Sequence, residues 1–327
     1  MNILVTGGAG FVGSVCAEQL LAQGHHVVII DNLATGHREA APTGATFVEA
    51  DIAQSGEVSQ IVTTHAISAM MHFAGETLVT NSMTDPRQYF ENNLRKSLVL
   101  LDTVMQYGVK QVIFSSTAAT FGEPMFTPIT EEHPTNPINA YGESKLMFER
   151  VLSWYRRAYG LRYVAVRYFN AAGASANCGE DHRPETHLIP LLLDSALDGD
   201  KEFQIYGDDY DTLDGTCVRD YVHVLDIAQA HILALQALAQ GCSGVYNIGS
   251  ASGYSVRQVL QAVEDVTGKQ LRVKMGPRRP GDPAVLVASN AKLVTELGWK
   301  PQHSDLINIV RSAWEWKQRH QRGYSVQ

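Results

Sequence analysis

Thr6-Gly7-Gly8-Ala9-Gly10-Phe11-Val12-Gly13 decides the fold. The stretch follows a short apolar run, Ile3–Thr6, and opens a segment with Val12, Val15, Cys16 and Leu20 at helical spacing, stopped by Gly24. Strand, glycine turn and helix in that order begin a nucleotide-binding βαβ unit. Glycines at 7, 10 and 13 make a G-x-x-G-x-x-G loop: the first permits the tight turn, the second lets backbone approach a pyrophosphate, the third lets helix and strand pack closely. The helix start then offers unpaired N–H groups and a partial positive charge to phosphate. Asp31 ends the next strand, Val27–Ile30. A carboxylate there accepts hydrogen bonds from the ribose 2′-OH and repels a 2′-phosphate, which predicts NAD rather than NADP. Asp51-Ile52 follow the third strand, and Asp51 reads either as an adenine-side contact or as a loop cap.

Outward from this loop, strands at Thr46–Glu49, Ala69–Phe73, Gln111–Phe114 and Tyr163–Arg167 alternate with helices, among them a long one from Pro86 to Tyr107 and another from Asn139 to Tyr159. This alternation predicts an α/β fold, a Rossmann-type doubly wound parallel sheet. After Asn170 the texture turns to Gly, Asp, Pro and His, with a helix at Leu188–Leu197. A helix at Val224–Gln240 and a strand at Val245–Ile248 return to the sheet; Val256–Thr267 reads as helix and Leu271–Lys274 as strand. The expectation is a nucleotide-binding domain over 1–170, with a return segment near 224–250, and a smaller interleaved substrate domain over 171–327.

The chain has 327 residues, 45% hydrophobic and 18% charged, with a net charge of −8. No basic block is present, which argues against a nucleic-acid partner. No apolar run approaches the ~18 residues of a membrane span. The first residues already read as strand and turn, without a leader. The four cysteines, at 16, 178, 217 and 242, form no C-x-x-C pair and read as reduced thiols in a cytoplasmic protein. Cys178, His182 and His187 lie in one loop with no second cluster in view, so no metal is expected.

Asn139-Ala-Tyr141-Gly-Glu-Ser-Lys145 carries the chemistry. Tyr141 and Lys145 are four apart and share a helix face, ~5–6 Å apart at Cβ. A phenol of pKa ~10 is a poor base at neutral pH. A neighbouring ammonium, joined by an oxidised nicotinamide, favours the phenolate. Ser115-Ser116-Thr117 ends a strand where an open α/β sheet places its ligands, and Thr117 can pass a substrate hydroxyl proton to Tyr141.

These segments resemble the extended short-chain dehydrogenase/reductase family over essentially the whole chain. The resemblance rests on TGGAGFVG (6–13), DN (31–32), HFAG (72–75), ENN (91–93), SSTAATFG (115–122), NPINAYGESK (136–145), RYFNAAGA (167–174), ETHLIPL (185–191), DGTCVRDYVHV (214–224) and PRRPGD (277–282). It implies NAD-dependent, reversible epimerisation at C4 of a UDP-hexose through a 4-keto intermediate. It implies that Gly7, Gly10, Phe11, Val12, Gly13, Asp31, Asn32, Asp51, Ile52, Phe73, Ala74, Gly75, Asn92, Ser115 and Tyr168 contact NAD. Tyr141 would be the catalytic base and acid, Lys145 would hold the nicotinamide ribose, and Thr117 would assist. Asn170, His187, Leu188, Gln204, Tyr206, Arg219, Arg279 and Asp282 would hold UDP and the sugar. A homodimer packing the helices at 86–107 and 139–159 is also implied.

The chain departs from the commonest family pattern at Thr117 for serine, Thr77 for lysine, Phe121 for tyrosine and His187 for asparagine. Related dehydratases carry an Asp-Glu pair where this chain has Ala118-Ala119, which cannot transfer protons. Leu286 falls where the family has a wall residue beside the sugar's C2 substituent, or it is a core residue of a short strand. A leucine there leaves room for an acetamido group, so UDP-GlcNAc stands as an alternative substrate; a UDP-pentose, which differs by one substituent, is a further alternative.

Overall fold

The computed structural model describes residues 1–279 and 282–324; Pro280 and Gly281 of the 277–282 motif lie outside the described residues. The first part of the chain runs β1 (Asn2–Thr6), α1 (Phe11–Ala22), β2 (His26–Asp31), β3 (Thr46–Glu49), α2 (Ser55–Thr64), β4 (Ala69–His72), short helices α3 (Val79–Thr84) and α4 (Pro86–Tyr89), α5 (Lys96–Gln106), β5 (Gln111–Thr117), α6 (Ala140–Tyr159) and β6 (Arg162–Tyr168). It continues through β7 (Asn170–Ala172), α7 (Leu188–Leu197), β8 (Phe203–Tyr206), β9 (Val218–Arg219), β10 (Tyr221–His223), α8 (Val224–Ala239) and β11 (Gly244–Ile248). The remainder is β12 (Tyr254–Ser255), α9 (Val256–Thr267), β13 (Val273–Gly276), β14 (Val285–Leu286), α10 (Ala291–Leu297) and α11 (Leu306–Arg319).

Seven strands form one sheet in the order β11-β6-β5-β4-β1-β2-β3, every neighbouring pair parallel. Its strands read as continuous apolar runs because both faces are covered. Alternate residues feed opposite cores. Ile3, Val5, Val27, Ile29 and Met71 pack with α1 and α8, while Leu4, Val28, Met70, Val112 and Phe114 pack with α2, α5 and α6. A third core joins α7, α9 and α11 through Leu192, Val259 and Ile309. The expected return at 224–248 takes the form of α8 and the edge strand β11 beside β6.

Three expectations are corrected. The long helix at 86–107 is not one α-helix: α4 runs into a π-helical segment, Phe90–Arg95, before α5. The fifth strand does not stop at Phe114 but carries Ser115, Ser116 and Thr117 in register beside Val166, Arg167 and Tyr168. The strand expected at Leu271–Lys274 lies at Val273–Gly276, beside β8.

Candidate active site

A cleft of about 1490 Å³ runs along the carboxyl ends of the sheet strands. Gly7 follows β1, Asp31 ends β2, Asp51 follows β3, Phe73 to Gly75 follow β4, Thr117 ends β5, and Tyr168 to Asn170 end β6 and begin β7; all line it. A second cavity, of about 400 Å³, adjoins it beneath α7 and β8. Asn170, His187, Arg219, Arg279 and Asp282 line both, so they mark the junction.

At one end of the cleft the glycine loop is packed as tightly as the sequence suggests. Gly7 has φ +70°, and a Cβ on it would lie 2.5 Å from the Ala74 nitrogen; one on Gly13 would lie 2.2 Å from the Gly7 oxygen. No side chain caps α1, so its first amides are left for a ligand. Asp31 is buried and accepts from the Ala9 and Leu33 amides at 3.0 and 2.9 Å, which holds the loops on either side of it together. Burial pushes its pKa up against those two hydrogen bonds. Asp51 is a loop cap that also faces the cleft. Its carboxylate caps Ala53 at 2.9 Å and pairs with Lys96 at 2.6 Å, yet it also lines the cleft with Asn32 and Ile52.

In the middle of the cleft stand Thr117 and Tyr141, both buried. Asn139 caps α6 through the Gly142 amide at 2.8 Å and so places Tyr141 in its first turn. Burial raises the Tyr141 pKa, and a hydrogen bond with Thr117 opposes the rise. Lys145 does not line the cleft. It lies beneath, with Nζ donating to the Ser115 carbonyl at 3.1 Å and standing 5.0 Å from the centre of the Phe114 ring. Burial lowers its pKa to about 8. Ser115 likewise sits below the surface, its Oγ 2.7 Å from Tyr168 Oη. His72, buried between Thr6 and Ser97, is driven down to about 3 by burial and by the nearby Lys145 charge, so it is a neutral spacer.

The far wall is charged. Arg219 pairs with Asp282, and the Arg279 guanidinium lies 4.2 Å over the Tyr206 ring. His187 stands at the N-cap position of α7 without a capping side-chain bond, its Nδ1 2.8 Å from both Glu180 and Glu185. His182 Nδ1 is 3.2 Å from the same Glu180 oxygen. Burial opposes a charge on His187, but the two glutamates outweigh it and raise the pKa to about 10. Burial likewise opposes the Glu180 carboxylate, which the histidines pull down to about 2. The loop thus holds a cluster of four potential ligand groups that the sequence reading did not anticipate, and Cys178 is not among them. The shortest contacts within it are hydrogen-bonding ones between imidazole and carboxylate. Leu188, Gln204 and Tyr206 line the smaller cavity, and Leu286 lines the cleft.

A model of the NAD dependent epimerase/dehydratase family matches residues 3–249. The chain belongs to that family. It is 49% identical to UDP-glucose 4-epimerase of Lacticaseibacillus casei over 99% of both chains. It is similar to a crystal structure of UDP-glucose 4-epimerase, with TM-score 0.98, 46% identity and full coverage of both chains. It is also similar to the Brucella ovis UDP-glucose 4-epimerase in complex with NAD, with TM-score 0.93 and 44% identity over 96% of this chain and 98% of that one.

The residues present fit the family's NAD. The loop around Gly7 has no room for a side chain, the α1 amides are free to meet a diphosphate, and a buried carboxylate waits at the end of β2. Asn92 lines the cleft as well, and its amide donates to Glu76 at 3.0 Å. The glycine loop, Tyr141 with Thr117, and a wall carrying Arg219 and Arg279 thus share one cleft. The residues the sequence reading missed are Glu180 and Glu185. A signal was there, since E-D-H-R-P-E-T-H places two carboxylates within two residues of two histidines.

Proposed function

We propose that this chain interconverts UDP-glucose and UDP-galactose by inverting C4, with NAD kept in the cleft throughout. One observation carries the choice within the family. Ala118 and Ala119 line the cleft directly after Thr117, so the groups that a dehydratase needs for removing water at C5 and C6 are missing where they would act. The names of the relatives support the same reading.

Tyr141, as phenolate, takes the proton of the sugar 4-OH, directly or through Thr117. NAD, when bound, would supply the acceptor for the C4 hydride and the hydride for its return. Lys145, held under the ridge by Ser115, keeps the phenolate charged and orients the nicotinamide ribose. The 4-keto sugar turns about its bond to the diphosphate and presents its other face; Tyr141 then returns the proton. Arg219, Arg279, Asn170 and His187 hold the diphosphate during the turn, bidentate arginines being suited to it. Leu188, Gln204 and Tyr206, which line the smaller cavity, take the uridine there, and Asp282 steadies Arg219. Gly10, Phe11, Val12, Phe73, Ala74 and Tyr168 complete the NAD wall.

The exposed Tyr107 and Tyr159, at or beside the ends of α5 and α6, and Trp154 within α6 suit the dimer face expected from the sequence, and the free, buried Cys16, Cys178 and Cys217 suit a reducing compartment. No helix among the described residues is long and apolar enough to cross a membrane.

Purified protein is expected to carry close to one NAD per chain with none added, and to convert UDP-galactose to UDP-glucose. Denaturing the protein, quantifying released nucleotide and separating the sugar products checks both. Empty protein that needs added NAD at every turnover would refute the retained-cofactor cycle.

A further inference from the structure

A buried ion pair that the reaction scheme leaves unused lies directly behind Thr117. Glu149 of α6 and Arg167 of β6 are each about 5% exposed. Arg167 donates to the two Glu149 oxygens, from Nε at 2.9 Å and from Nη2 at 2.5 Å. Ser116 Oγ donates to Glu149 at 2.5 Å, and the Arg167 guanidinium lies 4.9 Å over the Phe121 ring. The remaining nitrogen, Nη1, is buried without a hydrogen-bond partner among the described residues. Such a pair is weak evidence for stability. Apolar side chains of similar volume usually do as well or better, whereas removing one partner alone is strongly destabilising. Folding energy therefore leaves the pair unexplained.

Its placement supplies a reason. Across β5 and β6, Ser116 stands opposite Arg167, and Thr117 opposite Tyr168. On α6, Glu149 lies four residues beyond Lys145 and eight beyond Tyr141, about 6 and 12 Å along the same side of the helix. Phe121 closes the turn after Thr117, and that turn meets the start of α6 so closely that a Cβ on Gly142 would lie 2.4 Å from the Ala119 oxygen. One carboxylate thus grips the strand beside Thr117 and the strand beside Tyr168 from the helix that carries Tyr141 and Lys145. The other contacts between helix and sheet here fix less: Phe148 on Phe114, with ring centres 4.8 Å apart, is apolar and tolerates sliding, and Lys145 makes a single hydrogen bond to the Ser115 carbonyl. Charge-assisted bidentate hydrogen bonds are directional.

We propose that Glu149 and Arg167 are positioning residues: with Ser116 they lock α6 against the carboxyl ends of β5 and β6, and so set the geometry in which Tyr141 and Thr117 exchange a proton. The proposal rests on Tyr141 being the proton carrier of the reading above. Loss of the lock by about 1 Å is enough to cost about 10²-fold in rate.

The test uses the NAD-loaded protein with Glu149→Gln and the double variant Glu149→Leu/Arg167→Met, which replaces the pair by apolar volume. Both are expected to keep their NAD and their UDP affinity by calorimetry, with KM for UDP-galactose within about twofold of wild type. The double variant should melt no lower than wild type. The kcat of both should nevertheless fall about 10- to 100-fold. The Tyr141 ionisation, read as the ultraviolet titration difference against Tyr141→Phe in each background, should move upward. A double variant with kcat within about twofold of wild type and an unchanged Tyr141 titration overturns the lock, because filler then serves as well. Loss of UDP affinity or NAD together with kcat also overturns it, since the whole site would have collapsed. A wild-type protein inert toward UDP-galactose would instead refute the function proposed above, and the Tyr141 titration alone would then decide the lock.

Discussion

The two walls of the cleft are built by opposite means. On the sheet side, Thr117, Tyr141 and Lys145 are buried on a seven-residue strand and a twenty-residue helix, and each is held by a neighbour that is itself packed. On the far side, Arg219 sits on a two-residue strand, while His187 and Arg279 stand at a helix cap and in a loop, held by charge and by an aromatic face. The His187 side chain remains 44% exposed. Proton transfer demands fixed distances, because its rate falls steeply with misplacement. Holding a diphosphate demands charge, which acts over a longer range and forgives small shifts. An epimerase needs both: a rigid wall where bonds break, and a compliant wall around which the sugar turns.

If this division is right, damage to the rigid wall should appear in kcat and damage to the charged wall in KM. Tyr141→Phe removes only the ionisable oxygen and should lower kcat by about 10²- to 10⁴-fold while leaving NAD content and UDP binding intact, as measured by released nucleotide and calorimetry. Near wild-type turnover would remove Tyr141 from the scheme. Lys145→Ala should cost roughly 10²-fold and, more tellingly, move the kcat optimum to higher pH, because the phenolate loses the cation that stabilises it. An optimum that stays in place would mean Lys145 only fills space.

Much of the rigid wall was legible from residues alone. Its strands are continuous apolar runs, the glycine loop has one structural use, and Tyr141 and Lys145 share a face by simple helical spacing. The charged wall was harder to see. β8, β9, β12 and β14 are two to four residues long, too short for any period to show. Glu180 and Glu185 flank Pro184, and only the folded loop turns both carboxylates toward His187. Even on the rigid side, Glu149 could be placed on the Lys145 face, but its partner Arg167 depends on the β5–β6 register. The π-helical turn escaped because Leu94, Leu98 and Leu101 keep a helical rhythm with or without an extra residue.

Two smaller effects probe the compliant wall. Leu286 lines the cleft one strand from Arg219, with which it is in register. If wild type turns over UDP-GlcNAc at all, Leu286→Tyr should cut that activity relative to UDP-glucose by roughly 10-fold through loss of space, seen as a change in the ratio of the two kcat/KM values. Equal loss for both sugars would mean that Leu286 is not a wall for the C2 group. Glu180→Gln should raise KM for UDP-galactose by no more than about fivefold, roughly 1 kcal/mol, since His187 is open to solvent, which screens the pair, and keeps Glu185 as a second partner. Its clearer mark is pH. His187, raised to about 10, should keep its proton through neutral pH and give it up only near that value. In the variant the folded pKa falls toward the ordinary imidazole range, so the alkaline weakening of UDP binding should begin at lower pH. Calorimetric UDP titrations between pH 6 and pH 10, superimposable for the two proteins, would show that Glu180 does not charge His187.

The π-helical turn at Phe90–Arg95 has a consequence for how this chain can drift in length. Within it Asn93 accepts from the Glu76 amide at 2.7 Å and donates to the Glu76 carbonyl and to Ser144 of α6, while Asn92 donates to the Glu76 carboxylate. Deleting one residue there would restore an unbroken α-helix, a local gain by every helical criterion. It would also swing all side chains on one side of the deletion by about 100° and unhook both asparagines from the loop that follows β4. The segment is therefore a place where a shorter gene would encode a more regular helix and a disassembled cleft, so insertions and deletions should be purged here far more strictly than the plain leucine rhythm of the helix suggests.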